Sequence, residues 1–289
     1  MTSTRALKTR IRSVGNTKQI TKAMQLVAAS KMRRAQEADK ASAPYTRAAS
    51  ELLTYMASQG VTDGNPLFER RHVKKRMLIV IASDKGLAGA FNSNVSKTYL
   101  SNLTSDAEEG VVNETLAIGR RIAQLATRLK DVEVVGVYED LADRPSGHEI
   151  RTILDMARQK FTSGEIDAVD IVFTEFVSSM TQTATTRRLL PAGYVSTDVS
   201  DAVRDAKYEP SIEYVLDSVV HRLLEAQLYQ AILDSKASEH SMRMVAMKNA
   251  TDNASDLIDD LTLEMNKVRQ GAITQELAEI SGGVEAMNE

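Results

Sequence analysis

Apolar positions along this chain follow two rhythms, and the change between them marks its organisation. Near the start, Leu7, Ile11 and Val14, then Ile20, Met24 and Val27, then Ala28, Met32 and Ala35 each repeat a 4, 3 step. Toward the end, Met247, Ala250, Ala254, Leu257, Leu261, Met265, Val268 and Ala272 step by 3, 4, 3, 4, 4, 3 and 4. Both are narrow stripes close to a heptad, and each needs a helical partner to cover it. The middle differs. Met77–Ala82 is an unbroken apolar run suited to a strand buried on both faces, and Leu116–Ile118, Val132–Tyr138 and Val169–Val177 read as further strands. Between them Val95–Leu103, Ile122–Leu129 and Ile150–Phe161 carry helical spacing, with Asn92 or Ser93 able to cap the first. Thr183–Leu190 is less apolar and reads as an edge strand.

Breaker residues divide the chain the same way. Ten of the fourteen glycines lie between Gly60 and Gly193, which leaves both ends permissive for helix. Residues 211–280 contain no proline and only Gly271; as one helix at 1.5 Å per residue they would span about 105 Å, wider than a compact domain. The pattern predicts α/β plus long helices: an antiparallel coiled coil of the N- and C-terminal helices with an inserted Rossmann-like α/β domain. The expected bounds are 1–60 and 208–289 for the coiled-coil helices and 75–195 for the α/β domain. Two helices packed separately on a globular body are the competing arrangement.

Composition narrows the chemistry. With 8 Tyr, 5 Phe, no Trp and 12 Met, the chain is poor in the residues that build β-sandwich cores. Zero cysteines remove disulfides, thiolate metal sites and Cys nucleophiles. No apolar run approaches the ~18–20 residues of a membrane span. The basic start lacks the apolar core of a secretory leader, so residue 1 is expected to begin the mature chain. The four histidines, His72, His148, His221 and His240, lack metal-ligand spacing, and no nucleophile elbow occurs. Asp256, Asp259, Asp260 and Glu264 share one helical face, which reads as a solvated side rather than a cation site.

Two features could carry function. The turn at 83–92 follows a buried strand and precedes a helix, where doubly wound folds bind nucleotides, but it matches neither phosphate-binding spacing. Gly86 and Gly89 there serve a tight turn packed against neighbouring backbone. The first forty residues hold ten Lys or Arg against two acids, including Lys22, Lys31, Arg33 and Arg34. Such an arm fits either nucleic-acid phosphates or an acidic protein surface.

The strings at the two ends decide more. Residues 11–36, from Ile11-Arg12-Ser13-Val14-Gly15-Asn16-Thr17 to Lys31-Met32-Arg33-Arg34-Ala35-Gln36, closely resemble the start of the gamma subunits of F-type ATP synthases. So do residues 238–254, with Met242-Arg243-Met244-Val245-Ala246-Met247, residues 266–276, with Arg269-Gln270-Gly271-Ala272-Ile273-Thr274, and the closing Gly282-Gly283-Val284-Glu285-Ala286. The turn at 83–92 is also similar. The resemblance covers essentially the whole chain, with specific motifs at the ends.

It implies a central rotor shaft of a proton-translocating ATP synthase in its bacterial form, turning inside alpha and beta subunits and resting, with the epsilon subunit, on the c-ring. Catalysis would occur on beta, with ATP/ADP and magnesium bound by alpha and beta and no cofactor, metal or nucleic acid on this chain. Arg269, Gln270 and Thr274 would meet the beta catch loops, and Met24 and Arg243 would lie in the coupling region. Leu277, Ile280, Val284 and Met287 would form the bearing tip, and Lys22, Lys31, Arg33 and Arg34 would face acidic beta surfaces. The expected location is peripheral, on the cytoplasmic face of the inner membrane. Departures from the family pattern fall at Gly15, Ala88, Met265 and Gly271.

Overall fold

A computed structural model describes residues 4–130, 132–193, 198–209 and 211–286. The elements run α1 (Thr4–Ser58), β1 (Lys75–Ile81), α2 (Phe91–Glu108), β2 (Val112–Ile118), α3 (Arg120–Ala126), β3 (Glu133–Tyr138), α4 (Gly147–Thr162), β4 (Ala168–Phe176), β5 (Gln182–Leu190), α5 (Asp201–Arg204) and α6 (Ile212–Ala286). They form two compact units, one from Met1–Ala28 with Met244–Glu289 and the other from Ala29–Arg243.

The larger unit is a five-stranded sheet in the order β3-β2-β1-β4-β5. Strands β1 to β4 are parallel; β5 is antiparallel to β4 and lies at the edge, the place its less apolar sequence predicts. Alternate residues of β1 feed two cores. Met77, Ile79 and Ile81 meet α4 together with Leu53 and Met56 of α1 and Leu216 to Ile232 of α6, whereas Leu78 and Val80 meet α2 and α3. Helix α4 starts on a capping box, with Ser146 and Glu149 satisfying each other's backbone N–H groups.

Strand β2 begins at Val112, four residues before the apolar stretch that marks it in the sequence. Its polar start is buried because partners are supplied: Glu114 pairs with Lys75 and, at 2.9 Å, with Lys160, and Tyr99 bonds Thr115 at 2.7 Å. Burial alone would raise the Glu114 carboxyl, yet the two ammonium groups hold it below its ordinary value. Helix α2 is not capped by Asn92 or Ser93. Its N-cap is Ala90 without a side-chain bond, because Asn92 instead accepts from the Ser83 N–H at 3.1 Å and ties the turn to the end of β1.

In the smaller unit the two helical arms pair antiparallel, with a Thr21–Thr251 bond of 2.8 Å at the centre of the seam. Leu7, Ile11, Val14, Lys18, Thr21, Gln25 and Ala28 line one side, buried or half-buried, and Met247, Thr251, Ala254, Ile258, Leu261, Met265 and Val268 line the other. Both sets step strictly 4, 3, so the irregular step in the apolar stripe disappears. Four expectations fail here. Ile20 and Val27, taken as seam residues, are 60% and 56% exposed, Leu257 gives its place to Ile258, and Ala272 is exposed. Geometric register, which puts Lys18, Thr21 and Gln25 inward, overrides apolar character.

Candidate functional site

Doubly wound sheets bind ligands beyond the carboxyl ends of the strands where strand order reverses, here between β1 and β4. In this chain that crevice is the seat of α6. Ser235 Oγ accepts from the Thr174 N–H at 3.1 Å, Ser238 Oγ donates to the Thr174 carbonyl at 3.3 Å, and Ser241 Oγ donates to the Ser179 carbonyl at 2.8 Å. Gln182 Nε2 donates to Ser241 Oγ at 3.3 Å. Two residues further on, Arg243 donates to the carbonyls of Lys85 and Gly86 at 3.4 and 3.3 Å while its other nitrogen meets Glu239 at 2.7 Å.

The neighbouring turn is satisfied from within the chain. Asp84 Oδ1 accepts from the Arg120 and Asp140 backbone N–H groups at 3.0 and 3.1 Å, so an internal carboxylate stands where a helix start could otherwise receive an anion. Gly119 makes this closeness feasible: its φ is +99°, and a Cβ there would lie 2.2 Å from the Ala82 carbonyl oxygen. Gly86 is less constrained than the sequence suggests, since a Cβ would meet only the end of the Arg121 side chain.

Around the crevice a polar strap joins three elements of the larger unit. Asp143, on the loop after β3, takes Lys31 of α1 at 2.9 Å and His240 Nε2 of α6 at 3.0 Å, and Arg144 donates to the Arg34 carbonyl at 3.1 Å. Burial lowers the His240 pKa, outweighing the opposite pull of Glu239 and Asp143. A neutral ring carrying its proton on Nε2 donates to Asp143 and can accept from Arg243 at Nδ1, 3.4 Å away. Burial would raise Asp143, but its bonds to Lys31 and His240 keep it lowered. Lys31, expected to face a partner, is thus engaged within the chain.

Other expected site residues belong to the smaller unit. Arg269, Gln270 and Thr274 are exposed on α6, with Thr274 Oγ1 donating to the Gln270 carbonyl at 3.0 Å. Leu277 and Ile280 are 60% and 63% exposed on the same stretch. Met24 is half-buried on α1. The Val284 side chain and Met287 lie outside the described residues. Arg243 is the one expected residue that the structure places in a dense set of contacts, with its side chain only 11% exposed. Ser235, Ser238 and Ser241 escaped sequence reasoning; their only signal is a repeat of three on a helix. Among the described residues no group of three His, Asp or Glu is placed to hold a metal, and no helix is long and apolar enough to cross a membrane.

In the larger unit the crevice is filled by the chain's own helix, and in the smaller unit α6 from Arg269 onward exposes every described side chain. Comparisons with known proteins place the chain in a family. A family model described as ATP synthase matches residues 3–287. The ATP synthase gamma chain of Stenotrophomonas maltophilia is 40% identical over 99% of this chain and 100% of its own length, and that of Xanthomonas campestris pv. campestris is 39% identical over the same shares. Among solved structures, a chain of the Euglena gracilis mitochondrial ATP synthase in rotational state 3 superposes with a TM-score of 0.67 at 16% identity, over 98% of this chain and 94% of that one. A chain of the Tetrahymena thermophila mitochondrial ATP synthase central stalk and c-ring gives 0.54 at 24% identity, over 80% and 99%. The structures share the fold, and the full-length identities settle the family: this chain belongs to the ATP synthase gamma chains.

Proposed function

We propose that the chain is the central-stalk rotor of a proton-translocating ATP synthase, carrying rotation between a membrane c-ring and a ring of alpha and beta subunits. The observation that carries this reading is α6: 75 residues of uninterrupted helix whose lower part is bonded into an α/β domain and whose stretch from Arg269 onward is exposed in every described side chain. A continuous helix resists twisting along its length where a loop would yield.

Catalysis then belongs to the beta subunits, with ATP, ADP and magnesium bound by alpha and beta. This chain supplies asymmetry: a rotor that differs around its axis favours different conformations in chemically identical sites, and rotation becomes a change in nucleotide affinity. Arg269, Gln270 and Thr274 meet the beta catch loops, while Leu277, Ile280, Val284 and Met287 give the tip apolar, non-directional contact that does not lock at one angle. Ile20 and Val27, apolar and exposed on a basic helix, add a second contact surface. Arg243 contributes to coupling by fixing the turn at 83–92, and Met24 contributes from α1. The α/β domain, 75–195, is the foot that rests with epsilon on the c-ring; residues 1–60 and 208–289 supply the shaft. The complex places the chain at the cytoplasmic face of the membrane without insertion.

The test is reconstitution of the complex in sealed vesicles with and without this chain, with ATP-driven proton uptake as the readout. Uptake that requires the chain supports the rotor reading. Equal uptake without it, or salt-sensitive binding of nucleic acid in place of assembly with alpha and beta, contradicts it.

A further inference from the structure

A rotor must pass torque from its α/β domain into α6, and apolar packing is poorly suited to that step because it is non-directional: side chains on a smooth face can slide. Much of α6 between Leu216 and Ile232 meets the sheet through apolar contacts. Residues 235–243 behave differently. Ser235, Ser238 and Ser241 are at most 1% exposed, and each bonds the end of the β4–β5 hairpin. Their partners are mostly main-chain atoms, the N–H and carbonyl of Thr174, which lies in the ladder between β4 and β5, and the carbonyl of Ser179 in the turn that joins the two strands. With Arg243 on the Lys85 and Gly86 carbonyls, the bonded stretch covers eight residue steps, about 12 Å of helix.

We propose that this hydroxyl clasp, Ser235, Ser238 and Ser241 on the Thr174 and Ser179 main chain, is the torque-bearing joint between the α/β domain and α6. The three serines are positioning residues that touch no partner subunit, and the inference rests on the rotor reading above. Hydrogen bonds lose strength steeply with misalignment, so turning α6 on its seat strains several at once, while the apolar contacts beside them yield. Because the strand side is main chain, the joint does not depend on the side chain at position 174. The Thr174 hydroxyl is itself buried without a hydrogen-bond partner among the described residues.

The experiment uses the assembled complex held at one catalytic dwell with a bead on the α/β domain, and reads the angular variance of the bead, which is inversely proportional to torsional stiffness. The triple variant Ser235→Ala/Ser238→Ala/Ser241→Ala is expected to raise the variance about twofold with its stepping pattern retained. Ser238→Thr, which keeps a hydroxyl, and Thr174→Val, which leaves the main chain in place, are expected to match the wild type. Variance unchanged in the triple variant overturns the proposal, as does a Thr174→Val variant as soft as the triple one. Should the triple variant not assemble, Ser235→Ala and Ser238→Ala singly decide by the same readout. A wild-type complex whose bead never rotates would instead overturn the rotor reading, which separates the two failures.

Discussion

The two compact units use helix packing in opposite ways. In the larger unit, many residues of the sheet and its covering helices are buried completely, and the carboxylates inside the sheet are paired: Asp170 with Arg188 and Arg76, Glu114 with Lys75 and Lys160. In the smaller unit, the seam between the helical arms holds small and polar residues such as Ala28, Thr21, Thr251 and Ala254, and half of its positions are only half-buried. A thick core fixes one arrangement at large cost to any disturbance. A thin seam keeps two helices together while leaving most of their surface for other proteins.

The largest expected effect tests the thick side. Phe173, fully buried between β4 and the helices, should cost about 3–5 kcal/mol when replaced by Ala, whereas Leu261→Ala in the seam should cost about 2–3 kcal/mol because water can reach the space left behind. Denaturant unfolding of the whole chain, followed by hydrogen exchange to assign each loss to its unit, checks the difference. Equal losses would mean that the seam is packed as a core.

Next in size is a pH effect confined to the larger unit. Burial first, and then repulsion from Asp39 and Glu175 against attraction by Arg187, pushes Asp234 from 3.8 to about 7. The folded chain therefore holds a proton that the unfolded chain has released, and this contribution to stability falls as pH rises through about 7. Asp234→Asn should remove that slope and gain about 2–4 kcal/mol at pH 8. His240 acts in the opposite sense, because its lowered pKa lets stability rise with pH up to its unfolded value near 6.5, so the difference between wild type and Asp234→Asn isolates the carboxyl. A difference curve flat from pH 5 to 8 contradicts the account.

How much of this could be read from the sequence follows the same division. Strands buried on both faces show as continuous apolar runs, so β1 and β4 were legible, and β5 was legible as an edge through its threonines and arginines. The start of β2 was not, since Glu114 and Thr115 are tolerated inside only because Lys75, Lys160 and Tyr99 come from elsewhere in the chain. In the seam, apolar character pointed to Ile20 and Val27 when strict heptad spacing required Thr21 and Gln25. The serine clasp was illegible for a related reason: a hydroxyl on a helix gains meaning only when a strand end is brought against it. The contact role proposed for Arg269, Gln270 and Thr274 rests on resemblance alone, since nothing in their composition distinguishes them from any exposed helix.

Smaller effects sharpen the thin side. Thr251→Val should cost about 1 kcal/mol by leaving the Thr21 hydroxyl without its seam partner, and adding Thr21→Val should recover most of it. A double-mutant cycle measures that coupling, and strict additivity would mean that the bond contributes nothing. Gly271→Ala meets open space and should stabilise the helix by about 1 kcal/mol, seen as slower hydrogen exchange over 265–278; faster exchange would show that the helix bends there. Arg269→Ala with Gln270→Ala should leave stability within about 0.5 kcal/mol while lowering the protons pumped per ATP hydrolysed. Normal coupling in that double variant would remove those residues from the contact surface.

The central claim is that this chain turns against its partners and does no chemistry itself. Its most direct test is a complex of this chain with purified alpha and beta subunits from the same source, carrying a bead on the α/β domain and watched during ATP hydrolysis. The account predicts stepwise rotation in one direction that stops when ATP is withdrawn; steady hydrolysis with a motionless bead, or ATP hydrolysis by this chain alone, would contradict it.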